Sequence, residues 1–448
     1  MTHSPDDLAA LASDATDTFR LRLAQALHER GDPRGEFIQV QCALAEAGKD
    51  SSARTQALRA REASLLAEHE ATWLAELGLI PGDAVFARGF VDRVTVDASR
   101  ARGVYSRLTR HEPVRALSLR VDLGGSEEEL PHLLEEIRHA GLAPSLERLT
   151  IDRNQYWEVI HDDELELRRR GTRTLGLSLA LVDFARPDAG MELLSIALAS
   201  PEAAMLETLG IKHISRGANP LEGLLQTLER AGPRPSLREW TLEFSSPSGK
   251  EWIRWVQLPS LSRLLALYPK LQTLVLPMTE LQAEHVEHPE LRELSLHWLG
   301  LIPCGPSDLS QWKPAPVPKG SGLQFLREAR LPQLERLHID FQYEWYIAWT
   351  PEDLAPLFEA EGLPSLRQLE LRNCAFGDVL CRELVRMKHC PSLQVLDLTG
   401  LVLTDEGAVT LTRHRDRFPN LKQLVFGPWG LSEPVWNALV KQYPITVP

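Results

Sequence analysis

Paired cysteines, long apolar runs and a recognisable leader are all missing from this 448-residue chain. Its five cysteines (Cys42, Cys304, Cys374, Cys381, Cys390) form no CxxC pair and no even-numbered framework. They read as free thiols in a reducing compartment. No apolar stretch approaches the roughly 20 residues that cross a bilayer. The start, "MTHSPDDLAALASDATDTF", carries acid where a secretory signal needs positive charge, so the expected location is cytoplasmic. A net charge of -13, with basic residues scattered among acidic ones, argues against nucleic acid or an anionic membrane surface as the partner.

Catalytic signatures are scarce as well. "SPSGKEW" (246–252) lacks the earlier Gly and the following Ser/Thr of a phosphate loop, and "GLSLA" at Gly176 lacks the second Gly of a nucleophile elbow. No GxGxxG turn follows a strand. His285 and His288 in "AEHVEHPE" have no third ligand at a sensible spacing, so they read as exposed polar loop rather than a zinc site. His389 stands next to Cys390, but neighbours in sequence usually point apart, and Cys374 and Cys381 fit a packed core. "SRLTRHEPVR" (106–115) reads as a solvated edge. The expectation is no catalytic residue, no metal and no cofactor.

What the chain does have is a repeated phrase. "PSLERLTI" at Pro144 returns as "PSLREWTL" (Pro235), "PKLQTLVL" (Pro269), "PELRELSL" (Pro289) and "PQLERLHI" (Pro332). It continues as "PSLRQLEL" (Pro364), "PSLQVLDL" (Pro391) and "PNLKQLVF" (Pro419), with weaker copies at Pro113, Thr172 and Leu206, eleven in all. In L-x-x-L-x-L the fourth and sixth positions alternate as in a strand and point to one face. Pro ends the preceding helix and sets an extended entry. Between copies lie helical periods, such as "LTDEGAVTLTRHRDRF" and "FGDVLCRELVRMKHC". Steps between copies range from 20 residues (Leu271 to Leu291) to 43 (Leu291 to Leu334), and the Pro/Gly/Ser-rich stretch 301–322 reads as an inserted loop.

Strand, loop, helix and return resemble the leucine-rich repeat, and the last three copies resemble its ribonuclease-inhibitor-like class. In "LRQLELRNCAF" Cys374 occupies the ladder position; elsewhere Asn154, Ser245, Thr279, Gln342 or Leu401 stands there, so irregular turns are expected. The resemblance implies an α/β solenoid, with a curved parallel sheet and helices on its convex side. The chain then divides into an N-terminal helical module (1–80), a capping strand and linker (81–112), the solenoid (113–430) and a C-terminal cap (431–448). Phe90, Val91, Val94 and Val96 are to be buried at one end, and Val435, Trp436, Leu439 and Val440 at the other.

The module contains a charge-rich stretch, "LHERGDPRGEFIQVQ" (27–41), with five acidic or basic residues around an Asp-Pro-Arg-Gly turn. Helical periods on both sides make it a corner between helices. Asp32 caps the second helix, Pro33 takes its first position, and Arg34 and Glu36 pair across the turn or dock a partner. With "LLAEHEATWLAEL" and "FARGFVDRVTVDA", this stretch resembles the bacterial repeat-companion domain over about Phe19 to Ala98. It departs at "RLRLAQALHERG", where the family has "RLVYADWLEERG". That family carries no established activity, so the resemblance implies architecture only.

What remains for function is surface. Strand positions 3, 5, 7 and 8 give a stripe starting with Arg148, Thr150, Asp152, Arg153, Thr174 and Ser178. Next come Glu239, Glu243, Phe244, Glu293, His297 and Trp298, then Arg336, His338, Asp340, Phe341, Gln368, Glu370 and Arg372. In a chain only 6% aromatic, "FQYEWYIAW" (341–349) stands out. Either Trp345, Ile347 and Trp349 turn inward, or Tyr343, Trp345 and Tyr346 form a lip beside the 301–322 insertion. The expected role is a non-enzymatic scaffold binding a protein partner through Phe244, His297, Trp298, Arg336, His338, Asp340, Phe341, Tyr343, Trp345 and Tyr346. The alternatives are a recognition or regulatory subunit of an enzyme complex, and a self-associating structural protein.

Overall fold

The computed structural model describes residues 10–11, 17–48, 50–122, 129–143, 145–154, 163–170, 173–181, 188–213, 221–244, 257–258, 260–278, 280–281, 285–298, 315–316, 323–341, 347–348, 351–374, 376–427 and 430–448. They fall into two compact units, one of residues 1–182 with 187–205, the other of 183–186 with 206–448. The N-terminal helices, the capping strand and the first three repeat phrases therefore belong to a single unit.

The first unit opens with α1 (Thr18–Glu29), α2 (Pro33–Ala47) and α3 (Ala53–Ala75). Asp32 caps α2 by accepting from the Arg34 N–H at 2.9 Å, with Pro33 in the first turn. Gly35 lets α1 and α2 touch, since a Cβ there would lie 2.6 Å from the Ala24 carbonyl oxygen. Next come β1 (Ala84–Ala87) and β2 (Phe90–Asp97), an antiparallel hairpin. Its two turn residues, Arg88 and Gly89, both have positive φ (51° and 85°), as a tight primed turn needs.

Arg34 does not pair with Glu36. It is 6% exposed and reaches away from the corner: Nε donates to the Gly89 carbonyl at 2.7 Å and Nη2 to Glu112 at 3.0 Å. The guanidinium lies 4.9 Å from the Trp73 ring centre and 5.0 Å from that of Phe86. Glu112 also accepts from the Val91 N–H, and burial pushes its carboxyl up against the pull of Arg34. Glu36 instead pairs with Arg61 on α3. The "DPRGEF" corner thus clamps the helical module to the first hairpin, and partner docking by Arg34 is excluded by its burial.

After the hairpin, α4 (Val104–His111) leads to β3 (Ala116–Asp122), and α5 (Leu130–Ala140) to β4 (Arg148–Asn154), with β2, β3 and β4 parallel. Phe90, Val91, Val94 and Val96 are buried as expected. The parallel order then breaks. β5 (Asp163–Arg170) runs antiparallel to both β4 and β6 (Arg173–Leu181), so a strand separates the phrase at Thr172 from its predecessor. β5 is "DELELRRR", whose Leu165 and Leu167 alternate into the core. The unit closes with α6 (Asp188–Ala199).

The second unit holds β7 (Thr208–His213), α7 (Leu221–Ala231), β8 (Glu239–Phe244), β9 (Gln257–Leu258), α8 (Leu261–Leu267), β10 (Thr273–Met278), β11 (Glu280–Leu281) and β12 (Glu293–Trp298). It continues through β13 (Ala315–Pro316), α9 (Phe325–Glu328), β14 (Arg336–Asp340), β15 (Ile347–Ala348), α10 (Pro351–Glu359) and β16 (Gln368–Arg372). Last come α11 (Gly377–Leu384), β17 (Val395–Asp397), α12 (Asp405–Arg413), β18 (Gln423–Val425), α13 (Glu433–Gln442) and β19 (Ile445–Thr446). One open sheet runs β7-β8-β10-β12-β14-β16-β17-β18-β19, every neighbour parallel. Two short ladders, β9 with β11 and β13 with β15, lie apart from it.

Register follows the phrase. Leu274, Leu294, Leu337, Leu369, Leu396 and Leu424 align across the sheet, each 1% exposed or less. Burying a leucine this fully contributes about 2 kcal/mol. The helices supply the other wall, for example Leu221, Leu224, Leu225 and Leu228 of α7. The "PSL" serine has its own task of tying each coil to the one before. Ser236, Ser365 and Ser392 donate to the carbonyls of Leu206, Pro332 and Leu366 at 3.0, 2.6 and 2.8 Å, and Asn420 does the same to Pro391. Within the first unit Ser145 bonds Val114 likewise. At the C-terminal end Leu439 is buried and Trp436 packs toward Phe426, but Val440 is 45% exposed, contrary to expectation. It sits on the outer side of α13, and Tyr443 takes the buried place, donating to the Leu411 carbonyl.

Candidate partner-binding face

Because β-strand side chains alternate, the residues between the aligned leucines form a second, outward set. On β12, β14, β16 and β17 they stand in three rows. One is Glu293, Arg336, Gln368 and Val395; the next is Ser295, His338, Glu370 and Asp397; the third is His297, Asp340 and Arg372. These rows make up the candidate site.

Its charges are paired along and across strands. Arg336 pairs with Glu293, while Arg372 donates to Asp397 Oδ2 from Nε at 3.0 Å and from Nη2 at 2.6 Å, and lies 2.9 Å from Glu370. Asp397, only 4% exposed, also accepts from the Thr399 N–H. Asn373, in the left-handed region at φ 59°, donates to Asp340 at 2.8 Å, and Gln368 donates to Glu370 at 2.6 Å. The His297 and His338 rings meet edge to face, centres 5.0 Å apart and planes at 83°. Burial holds the His338 imidazole below its ordinary value, with His297 and Arg372 adding to the effect and Glu370 and Asp340 opposing it. His338 Nε2 is buried without a hydrogen-bond partner among the described residues.

Of the residues expected to bind, His297, Arg336, His338 and Asp340 come together on this face. Phe341 does not join them. It is 4% exposed, because it continues the inward phase of Leu337 and Ile339, so its ring belongs to the core. Phe244 and Trp298 hold the last positions of β8 and β12, and their side chains are outside the described set. Tyr343, Trp345 and Tyr346 also lie outside the described residues. The aromatic segment 341–349 and the Pro-rich insertion 301–322 do meet at one point within each, since Ile347–Ala348 pairs with Ala315–Pro316. Asp397 and Asn373 are not among the residues anticipated from the sequence. Asp397 stands at the fifth position of the Pro391 copy, so the same rule applied one coil further finds it, and Asn373 stands at the eighth position of the Pro364 copy, where the rule also applies.

The other reactive candidates resolve into structural roles. Cys42, Cys374, Cys381 and Cys390 are buried free thiols, and burial pushes Cys374 and Cys390 up to about 12. Cys390 Sγ donates to the Leu384 carbonyl and His389 Nε2 bonds that of Ala360, so the two adjacent groups serve different neighbours. His288 lies in a loop as expected but is buried, 2% exposed: Nε2 bonds the Tyr268 carbonyl at 3.0 Å, and Nδ1 accepts from the Glu290 N–H. His285 stays exposed beside Glu287. Among the described residues no group of three or more His, Cys, Asp or Glu is arranged to hold a metal ion, and no helix is long and apolar enough to cross a membrane. Residues 246–252 lie outside the described residues, and Ser178 sits within β6.

No family model matches the chain, and no curated protein matches it. Among solved structures it is similar to a Bacteroides fragilis protein determined by a structural genomics consortium, at 20% identity and a TM-score of 0.43. That match covers 58% of this chain and 69% of the other, and at this score it carries no argument about function.

Proposed function

We propose that this chain is a non-enzymatic scaffold, a leucine-rich-repeat solenoid behind a repeat-companion-like helical module, and that it binds a protein through the outward rows of its second unit. The supporting observation is the face itself, in which rows of ionic and imidazole side chains are held in register by strands whose other side is sealed with leucine. Ion pairs within the rows fix long side chains before any partner arrives, which lowers the ordering cost of binding. Over β12 to β17 the carboxylates of Glu293, Asp340, Glu370 and Asp397 outnumber the guanidiniums of Arg336 and Arg372. Such a face favours a partner segment carrying Lys or Arg.

A photo-crosslinking phenylalanine analogue tests this reading when substituted in separate chains for Arg336, on the face, and for Arg413, exposed on α12. The expected outcome is one discrete protein adduct from position 336 and none from 413. Adducts of equal yield at both positions, or none at 336, would overturn it.

A further inference from the structure

We propose that the His297–His338 pair makes the partner-binding face proton-sensitive, so that mild acid reduces the excess negative charge on which a basic partner depends. As regulation of binding this rests on the function proposed above; as a titration of the face it does not.

Neutral imidazoles can pack edge to face, as these two do at 5.0 Å. Two imidazolium ions at that distance repel, in a site where water reaches only part of each ring. The other charged groups facing the pair are Glu293 on β12, Arg336 and Asp340 on β14, and Glu370 and Arg372 on β16. Glu293 is engaged by Arg336, Asp340 accepts from Asn373, and Glu370 lies against Arg372. No carboxylate is therefore left over to take up a second imidazolium among these groups. His338 Nε2 is the buried valence that must find a new partner once it carries a proton. From β12 to β17, Glu293, Asp340, Glu370 and Asp397 outnumber Arg336 and Arg372 by two, so a proton taken up by the pair removes part of that excess. The displaced titration of His338 agrees with this arrangement: burial and its cationic neighbours disfavour the charged ring.

The test is an NMR titration of the imidazole resonances of the full chain, assigned with His297→Gln and His338→Gln. The expected result is that His338 titrates below the ordinary imidazole value in the native chain. It should then move up toward the ordinary value in His297→Gln, where the neighbouring ring is gone. If that chain does not fold, His297→Asn replaces it. A His338 midpoint unchanged by the loss of His297 overturns the coupling. Crosslinking from position 395, where the analogue replaces the uncharged Val395 of the same row and leaves Arg336 on Glu293, at about pH 7.5 and about pH 5.5 then reads the consequence. Adduct formed at the higher pH and lost several-fold at the lower supports the proposal, and adduct retained at both overturns it. No adduct at the higher pH counts against the protein-binding function, while the coupled titration of the two rings is decided by the NMR midpoints alone.

Discussion

Two charge-rich places in the molecule answer to opposite demands. At the "DPRGEF" corner of the first unit, charge is spent inside: Arg34 is buried against Glu112, the Gly89 carbonyl and two aromatic rings. On the outward rows of the second unit, Arg336 is just as ionic and just as paired, yet its side chain is 45% exposed. Charge density in a sequence therefore does not mark a site. The environment of the partner group does, because a buried pair is part of the fold while an exposed pair can be exchanged for another molecule's.

The widest gap between these regions should appear on removing one arginine. Arg34→Ala leaves Glu112 buried without its cation and Gly89 without its donor, a loss expected to cost about 3–5 kcal/mol. Chemical denaturation of the full chain measures it, with the loss in the transition of the first unit. Arg34→Lys is expected to recover only part of this, because an ammonium cannot bond Gly89 and Glu112 while lying flat against Trp73 and Phe86. A loss below about 1 kcal/mol for Arg34→Ala would put the corner in the same class as the exposed rows.

Phe341 tests where the face ends. If its ring is core, Phe341→Ala should destabilise the second unit by about 3 kcal/mol or more, measured by thermal unfolding. A stable variant that had lost its crosslinked partner would return Phe341 to the binding face.

Most of the fold was legible because the phrase has a physical period. Aligned leucines, Pro-set strand entries and capped helices all recur in sequence, and the structure puts the phrases into the sheets in chain order. β5 was not legible. It carries no Pro-x-Leu entry, and its two inward leucines among charges resemble any short alternation. The face was half legible. Counting positions 3, 5, 7 and 8 mixed two phases, since an extended chain cannot point positions 7 and 8 the same way. Phe341 stands at position 8 of its copy, the phase of the leucines, and is buried with them. The roles of the corner and of the "PSL" serines needed three dimensions. Arg34 and Glu112 are far apart in sequence, and a serine hydroxyl reaching a carbonyl one coil back leaves no periodic mark beyond the serine itself.

Acid should affect the second unit through its histidines. Burial holds His288, His338 and His389 below the ordinary imidazole value in the folded chain. On unfolding they bind protons more readily, so stability is intact above about pH 6.5 and falls as pH drops through that value. Unfolding midpoints between neutral and mildly acidic buffer measure it. His288→Gln and His389→Gln should each lower stability at neutral pH, where a carbonyl bond is lost, and flatten the slope. A midpoint that rises on acidification would contradict the buried, neutral state of these rings.

The smallest effect is expected where the comparison is sharpest. Arg336→Ala removes an exposed ion pair with Glu293, and surface pairs contribute between nothing and about 1 kcal/mol. The melting temperature should hardly move, because Leu337 and Ile339 on either side of the exchanged phase keep the strand in register. Partner binding should respond differently. Removing Arg336 frees the Glu293 carboxylate and makes the face more acidic, so a Lys- or Arg-bearing segment should bind more tightly and with a steeper dependence on salt. Tighter binding with unchanged stability is something the buried Arg34 cannot show under any substitution. Weaker binding would mean that Arg336 touches the partner directly and that the partner offers it an acid.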